Sequence, residues 1–281
     1  MKEVLMEAIL DSLKILPFLF IAFLMMEFFE HKLSKKTKKS IEKSGKFGPV
    51  IGGILGAFPQ CGFSVAATNL YAGKLITIGT LIAIYLSTSD EMLPIFLSEN
   101  VELSLIFKIL GIKVLIAIIF GFIIDIVWKN KKDKHNHIHE ICEEEHCGCE
   151  KNIFLSTIKH TLHIILFIFI ANVILNGIIH FIGPDAISTM LMKNTFFEPL
   201  FTSLLGLIPN CASSVIITEL YLSSSISFGA MLSGLLTGSG VALVVLFKVN
   251  KNIKENIKIL CTIYFAGVLV GILFNILKIV I

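Results

Sequence analysis

No arginine occurs anywhere in the chain, so all 24 of its basic side chains are lysines, and only their placement can speak to charge. Charge is scarce: 16% of the 281 residues are charged against 55% hydrophobic, with a mean hydropathy of +0.85. A water-soluble domain of this length carries more charge and interrupts its apolar runs sooner. Strand-length segments of alternating polarity are missing, which argues against a membrane β-barrel. H-E-x-x-H, G-x-S-x-G and a membrane C-x-x-C, the sets an intramembrane enzyme would use, are absent too. No P-loop is present, so the chain cannot drive transport by its own ATP hydrolysis. Neither a cofactor nor a nucleic-acid partner is expected. The first apolar run has no small-residue cleavage site and is too long for a signal-peptide core, so it reads as a retained span.

What is present is a set of apolar stretches of twenty residues or more, clearest at 4–30, 103–128, 153–182 and 257–281. Each is long enough to cross about 30 Å of hydrocarbon as a helix. The lysines fall into three groups between such stretches: Lys32–Lys46, Lys129–Lys134 and Lys248–Lys258. The positive-inside rule makes these loops cytoplasmic and turns the lysine-free connections at 98–102 and 183–188 outward, with both chain ends outside.

An internal repeat organises the rest. Residues 56–71, GAFPQCGFSVAATNLY, recur as residues 206–221, GLIPNCASSVIITELY. At an offset of 150, Gly56, Pro59, Cys61, Ser64, Thr68 and Tyr71 fall on Gly206, Pro209, Cys211, Ser214, Thr218 and Tyr221, and Ser89 falls on Ser239. Apolar bias does not supply matched Pro, Cys, Ser and Tyr. The lysine groups occupy opposite places in the two copies, which is the signature of inverted topology. The expected fold is therefore an all-α polytopic membrane protein of two inverted five-segment repeats, at 1–128 and 153–281, joined by a polar loop at 129–152. In the first copy the pieces 47–59 and 62–73 are each too short to span and fit a re-entrant hairpin turning at Pro59–Gly62, followed by a crossing piece at 75–97. The second copy would turn at Pro209–Cys211. Broken backbone at membrane depth is tolerated only against protein or a water-filled cavity, so two facing tips near the midplane would define a polar site. Two proline-kinked helices per copy are the plainer alternative.

At each tip one half-helix ends in carbonyls, which suit a cation, and the next begins in amides, which favour an anion and lower a cysteine's pKa. Cys61 and Cys211 are thus candidate soft ligands, flanked by Gln60 and Asn210 and by the hydroxyls of Ser64 and Ser214. Thiolates select soft metals and metalloids; carboxylates and amides suit hard ions such as manganese. A membrane cysteine is more simply a small apolar packer, which is how Cys261 reads. The run Ser87-Thr88-Ser89-Asp90-Glu91 places two adjacent acids inside an apolar stretch, where ionisable groups usually mark an ion or proton path. Capping a broken helix is the alternative role for that pair. The second copy is neutral at the corresponding Gly240 and Val241 but carries Glu219 where the first has Asn69. Glu27, Asp125 and His160/His163 lie nearer span ends and read as interfacial.

GAFPQCGFS, STSDE and GLIPNCASS resemble the signature of the ten-helix heavy-metal exporter family of bacteria and archaea, whose members are labelled arsenic efflux proteins or manganese transporters. The resemblance covers nearly the whole chain. It implies ten helical segments, export of a metal or metalloid through the cell (inner) membrane, and a site at Pro59, Gln60, Cys61, Asp90, Glu91, Pro209, Asn210 and Cys211. Arsenic and manganese both stay open as the substrate. The expected activity is secondary-active export coupled to protons; a permease for a small organic anion or organoarsenical held at half-helix N-termini is the alternative. The loop at 129–152 offers His135, His137, His139, Cys142, His146, Cys147 and Cys149 among acids, without the paired spacing of a structural zinc fold. It reads as a cytoplasmic metal-capturing or sensing loop, or more plainly as a solvated linker. The partners expected are the bilayer and the transported ion, with self-association left open.

Overall fold

A computed structural model describes residues 47–58, 61–89, 92–128 and 197–278, together with scattered residues before 25 and between 157 and 173. Ten helices are labelled here in chain order. The first five are α1 (Gly48–Gly56), α2 (Cys61–Ala72), α3 (Ile78–Ser87), α4 (Met92–Ser98) and α5 (Leu103–Val127). The second five are α6 (Glu198–Gly206), α7 (Cys211–Leu222), α8 (Phe228–Thr237), α9 (Ala242–Val249) and α10 (Ile253–Ile276). No strand occurs among the described residues. The bounds of α1, α2 and α3 recur in α6, α7 and α8 at the same offset of 150 that relates the sequence motifs.

The shared boundaries have shared local causes. Pro49 and Pro199 sit in the first turn of α1 and α6, where the missing N–H costs nothing. Thr77 and Ser227 cap α3 and α8, their hydroxyls accepting from the amides of Thr80 and Ala230 at 3.1 Å. α2 and α7 stop in the same way: Lys74 and Ser224 adopt left-handed backbone, φ 58° and 55°, and their amides donate to the Tyr71 and Tyr221 carbonyls at 2.9 Å. Each closes a Schellman-type turn without glycine.

One boundary corrects the sequence reading. The piece expected to cross at 75–97 is not a single helix. α3 ends at Ser87, Thr88 and Ser89 are non-helical, and helix resumes at Met92. Hydroxyls provoke the stop by bonding back to the chain: Ser87 Oγ and Thr88 Oγ1 both donate to the Ile84 carbonyl, and Ser89 Oγ to the Ser87 carbonyl. The second copy breaks between Thr237 and Ala242, through Gly238, Ser239 and a left-handed Gly240 (φ 55°).

Four stretches of the described chain are long and apolar enough to cross a membrane: Ile78–Ser98, Leu103–Val127, Phe228–Val249 and Ile253–Ile276. The two interrupted ones are 75% and 89% buried within the protein, against 33% and 39% for the continuous α5 and α10. The broken helices therefore form the centre, and α5 and α10 present large apolar side chains such as Leu115, Ile119, Phe265 and Leu269 outward. α1 is threaded against α3 and α5, and α6 against α8 and α10. Close approach requires glycine there: a methyl on Gly56 would collide with Ser87 Oγ and the Ile84 carbonyl, and one on Gly206 with the Gly234 carbonyl and Thr237 Oγ1.

Between copies the packing is reciprocal. α2 of the first copy lies against α9 of the second, α7 of the second against α4 of the first, and α3 meets α8. At one end of the bundle the Tyr71 hydroxyl donates to Glu255, Lys74 Nζ lies 3.9 Å from the same carboxylate, and Lys258 Nζ lies 5.9 Å from the centre of the Trp128 ring. Elsewhere the Phe96, Tyr221, Phe228 and Phe274 rings meet in series, tilted or edge-on, with centroids 6.5, 6.0 and 5.8 Å apart.

Candidate functional site

The polar centre is built where helices stop short. A helix that ends inside protein leaves its last carbonyls without intrahelical partners. In α8 the Ser239 amide, which a continuing helix would give to Leu235, turns instead to the Thr237 carbonyl at 2.9 Å. In α3 the Thr88 carbonyl sits at the cap, where the chain has left the helix. Both orphans meet one cation. Lys113, fully buried in the middle of α5, donates from Nζ to the Leu235 carbonyl at 3.0 Å and to the Thr88 carbonyl. A single ammonium thus holds the C-terminal ends of one broken helix from each copy, where partial negative charge collects.

The broken helices and the helices packed on them also carry buried hydroxyls. Thr88, Ser89, Ser203, Thr237 and Ser239 are all buried, and Ser203 Oγ and Ser239 Oγ have no hydrogen-bond partner among the described residues. Ser64 and Ser214 occupy matching positions, each carbonyl accepting from the hydroxyl four residues on, Thr68 and Thr218, at 2.7 Å. Thr68 Oγ1 also pairs with the fully buried Tyr85 hydroxyl at 2.5 Å, which in turn donates to the Ala242 carbonyl at the start of α9 (3.3 Å). Tyr85 thereby ties α2 of the first copy to the start of α9, just past the second copy's break. Asn210 is buried and caps α7, its Oδ1 accepting from the Ala212 amide at 3.2 Å. Cys61 and Cys211 are the first residues of α2 and α7, and Pro209 precedes the cap.

The residues singled out from sequence therefore divide. Cys61 and Ser64 lie in the first turn of α2, Asn210, Cys211 and Ser214 at the cap and first turn of α7, and only Ser89 lies at a break, the one that follows α3. Glu219 is exposed on α7, whereas its counterpart Asn69 is buried and donates to the Val65 carbonyl at 2.9 Å. Pro59, Gln60, Asp90, Glu91 and the loop ligands His135, His137, His139, Cys142, His146, Cys147 and Cys149 lie outside the described residues. Among the described residues no group of three or more His, Cys, Asp or Glu side chains could hold a metal ion.

The sequence reading passed over two ionisable residues. Lys113 stands alone in a long apolar run, and such a residue is a functional candidate by default; attention to clustered lysines hid it. Glu198 opens α6 fully buried, with Oε1 accepting from the Ser227 amide at 3.1 Å and Oε2 unpartnered among the described residues. Asp125, read as interfacial, caps the start of α3, where its carboxylate accepts from the Gly79 amide and the Thr77 hydroxyl, both at 2.8 Å.

An all-helical architecture with several membrane-length apolar helices, two of them interrupted around a buried polar junction, defines a multi-pass membrane protein. The family model described as "Putative, 10TM heavy-metal exporter" matches residues 1–185 and 178–279, and the chain belongs to that family. No curated protein and no solved structure matches it.

Proposed function

We propose that the protein exports a thiol-seeking metal or metalloid ion across a bacterial or archaeal cell membrane, as a secondary-active transporter that alternates access between two inverted repeats. The reading rests chiefly on duplicated, interrupted helices whose ends meet at one buried junction, since broken helices at mid-depth are how such transporters build a substrate site. α1, nine residues long, measures about 13 Å, so it can reach only part way through about 30 Å of hydrocarbon. Inversion is supported by two contacts. Trp128, just past the end of α5, lies under Lys258 near the start of α10, and Phe107 near the start of α5 shares a groove with Phe274 near the end of α10. Both contacts are those of an antiparallel α5–α10 pair, as inversion requires. Lys74, Lys258 and Trp128 gather at the end that the positive-inside rule makes cytoplasmic.

The substrate preference follows from donor chemistry. Cys61 and Cys211 open the half-helices α2 and α7, and sulfur ligands take soft metals and trivalent metalloids. Manganese is the second reading, favoured because α3 breaks immediately before Asp90 and Glu91. The loop ligands from His135 to Cys149 are read as capturing the ion on the cytoplasmic side.

Purified protein in sealed vesicles, with and without a proton gradient, tests the proposal. Gradient-dependent movement of arsenite but not manganese is the expected result. Movement of manganese alone would transfer the site to Asp90 and Glu91. Movement of neither ion would overturn metal export and leave the small-organic-anion permease.

A further inference from the structure

We infer that Lys113 is a built-in cation: its ammonium fills, from within the chain, a site for a small monovalent cation that the ends of α3 and α8 create between the two copies. Backbone carbonyls supply two of its ligands. The Thr88 carbonyl caps α3, the Leu235 carbonyl has lost its helical donor at the break in α8, and both accept from Lys113 Nζ. Two converging helix C-termini concentrate negative potential, and unwound carbonyls with half-helix C-terminal ends are the groups that coordinate sodium in broken-helix transporters. Here the position is taken by a tethered charge on a third helix, and Lys113 is fully buried.

The repeat gives the lysine no charged counterpart. Its counterpart at offset 150 is Ile263, equally buried and apolar. The junction therefore receives one ammonium, supplied by α5, and is held closed without a bound inorganic cation. Removing the side chain should expose an empty site that a small free cation can fill and a bulky one cannot.

The test uses the purified full-length protein in detergent, with unfolding followed by fluorescence in sodium, methylammonium or choline chloride at equal ionic strength. The wild-type midpoint should be the same in all three salts. Lys113→Ala should unfold roughly 5 °C or more lower in choline, and sodium or methylammonium should recover at least half of that loss. Lys113→Met, which fills the space without charge, should be destabilised and recover nothing, while Lys113→Arg should stay near wild type. A Lys113→Ala protein indifferent to the choice of salt overturns the inference. So does equal behaviour of the Met and Arg variants, whether both fold or both fail, which keeps the test decisive if the Ala variant cannot be purified. No exported ion is present, so this outcome and that of the vesicle assay are independent.

Discussion

Gly121 sits where α5 crosses α3, and replacing it with alanine isolates the packing of that crossing. A Cβ there would stand 2.8 Å from the Gly79 carbonyl oxygen, 2.8 Å from Cβ of Pro49 and 3.0 Å from Cβ of Ala83. None of these is the far end of a flexible side chain, so relief requires α5 to move off α1 and α3. Overpacking of this kind costs about 1–3 kcal/mol. Against it stands the gain of about 1 kcal/mol for exchanging glycine for alanine inside a helix. Gly111 on the same helix is the control, because a Cβ there meets nothing within 4 Å. The helix-forming gain is common to both positions and cancels in the comparison. Gly111→Ala should therefore stabilise by up to about 1 kcal/mol, and Gly121→Ala should fall below it by about 1–3 kcal/mol, separating the midpoints by roughly 2–10 °C. The single tryptophan, Trp128, follows α5 and reports unfolding directly. Equal midpoints for the two variants would refute the described crossing.

Further outcomes follow from named contacts. Asp125→Ala removes the acceptor of the Gly79 amide and the Thr77 hydroxyl and should cost about 1–2 kcal/mol. Asp125→Asn, the residue the second copy carries at 275, should cost less than half as much, and equal losses in thermal unfolding would argue against the cap. The Cys61→Ser/Cys211→Ser double variant should reach the membrane at normal levels yet lose arsenite resistance in cells; full resistance would remove thiol ligation from the proposed site. Deleting residues 135–149 should weaken apparent affinity in a cell efflux assay while leaving maximal efflux largely intact, and complete loss of efflux would give the loop a larger part than capture.

Much of this architecture can be read from the chain because the duplication is carried by residues with strict local effects. Proline in a first turn, a hydroxyl before α3 and α8, and a left-handed residue after α2 and α7 fix the same boundaries in both copies. The break inside 75–97 was not legible. Hydropathy averages over Thr88 and Ser89, and two small hydroxyls amid apolar residues look like ordinary helix until their bonds to the Ile84 and Ser87 carbonyls are seen. Lys113 was missed for a related reason. Two of its partners are backbone carbonyls from helices distant in sequence, and no side-chain motif announces a carbonyl.

The two copies share a backbone plan but not their charges. Lys113 faces Ile263 across the repeat, Asp125 corresponds to Asn275, Glu198 to Gly48, Lys74 to Ser224 and Glu255 to Leu105. If the copies exchange roles during transport, a fully symmetric pair would give inward- and outward-open states equal energy, and each charged device on one copy alone tilts that balance. The ends of the bundle show the same inequality. Tyr71, Glu255 and Lys74 join the end of α2 to α10 of the opposite copy by charge and hydrogen bonds, whereas Tyr221, in the place of Tyr71, is packed among the rings of Phe96 and Phe228. Opening the first end means hydrating a carboxylate and an ammonium, which water compensates; opening the second means exposing aromatic surface, which it does not. Under the alternating-access proposal the asymmetry favours opening at the charged, lysine-rich end, the side from which the proposed exporter would load its cargo.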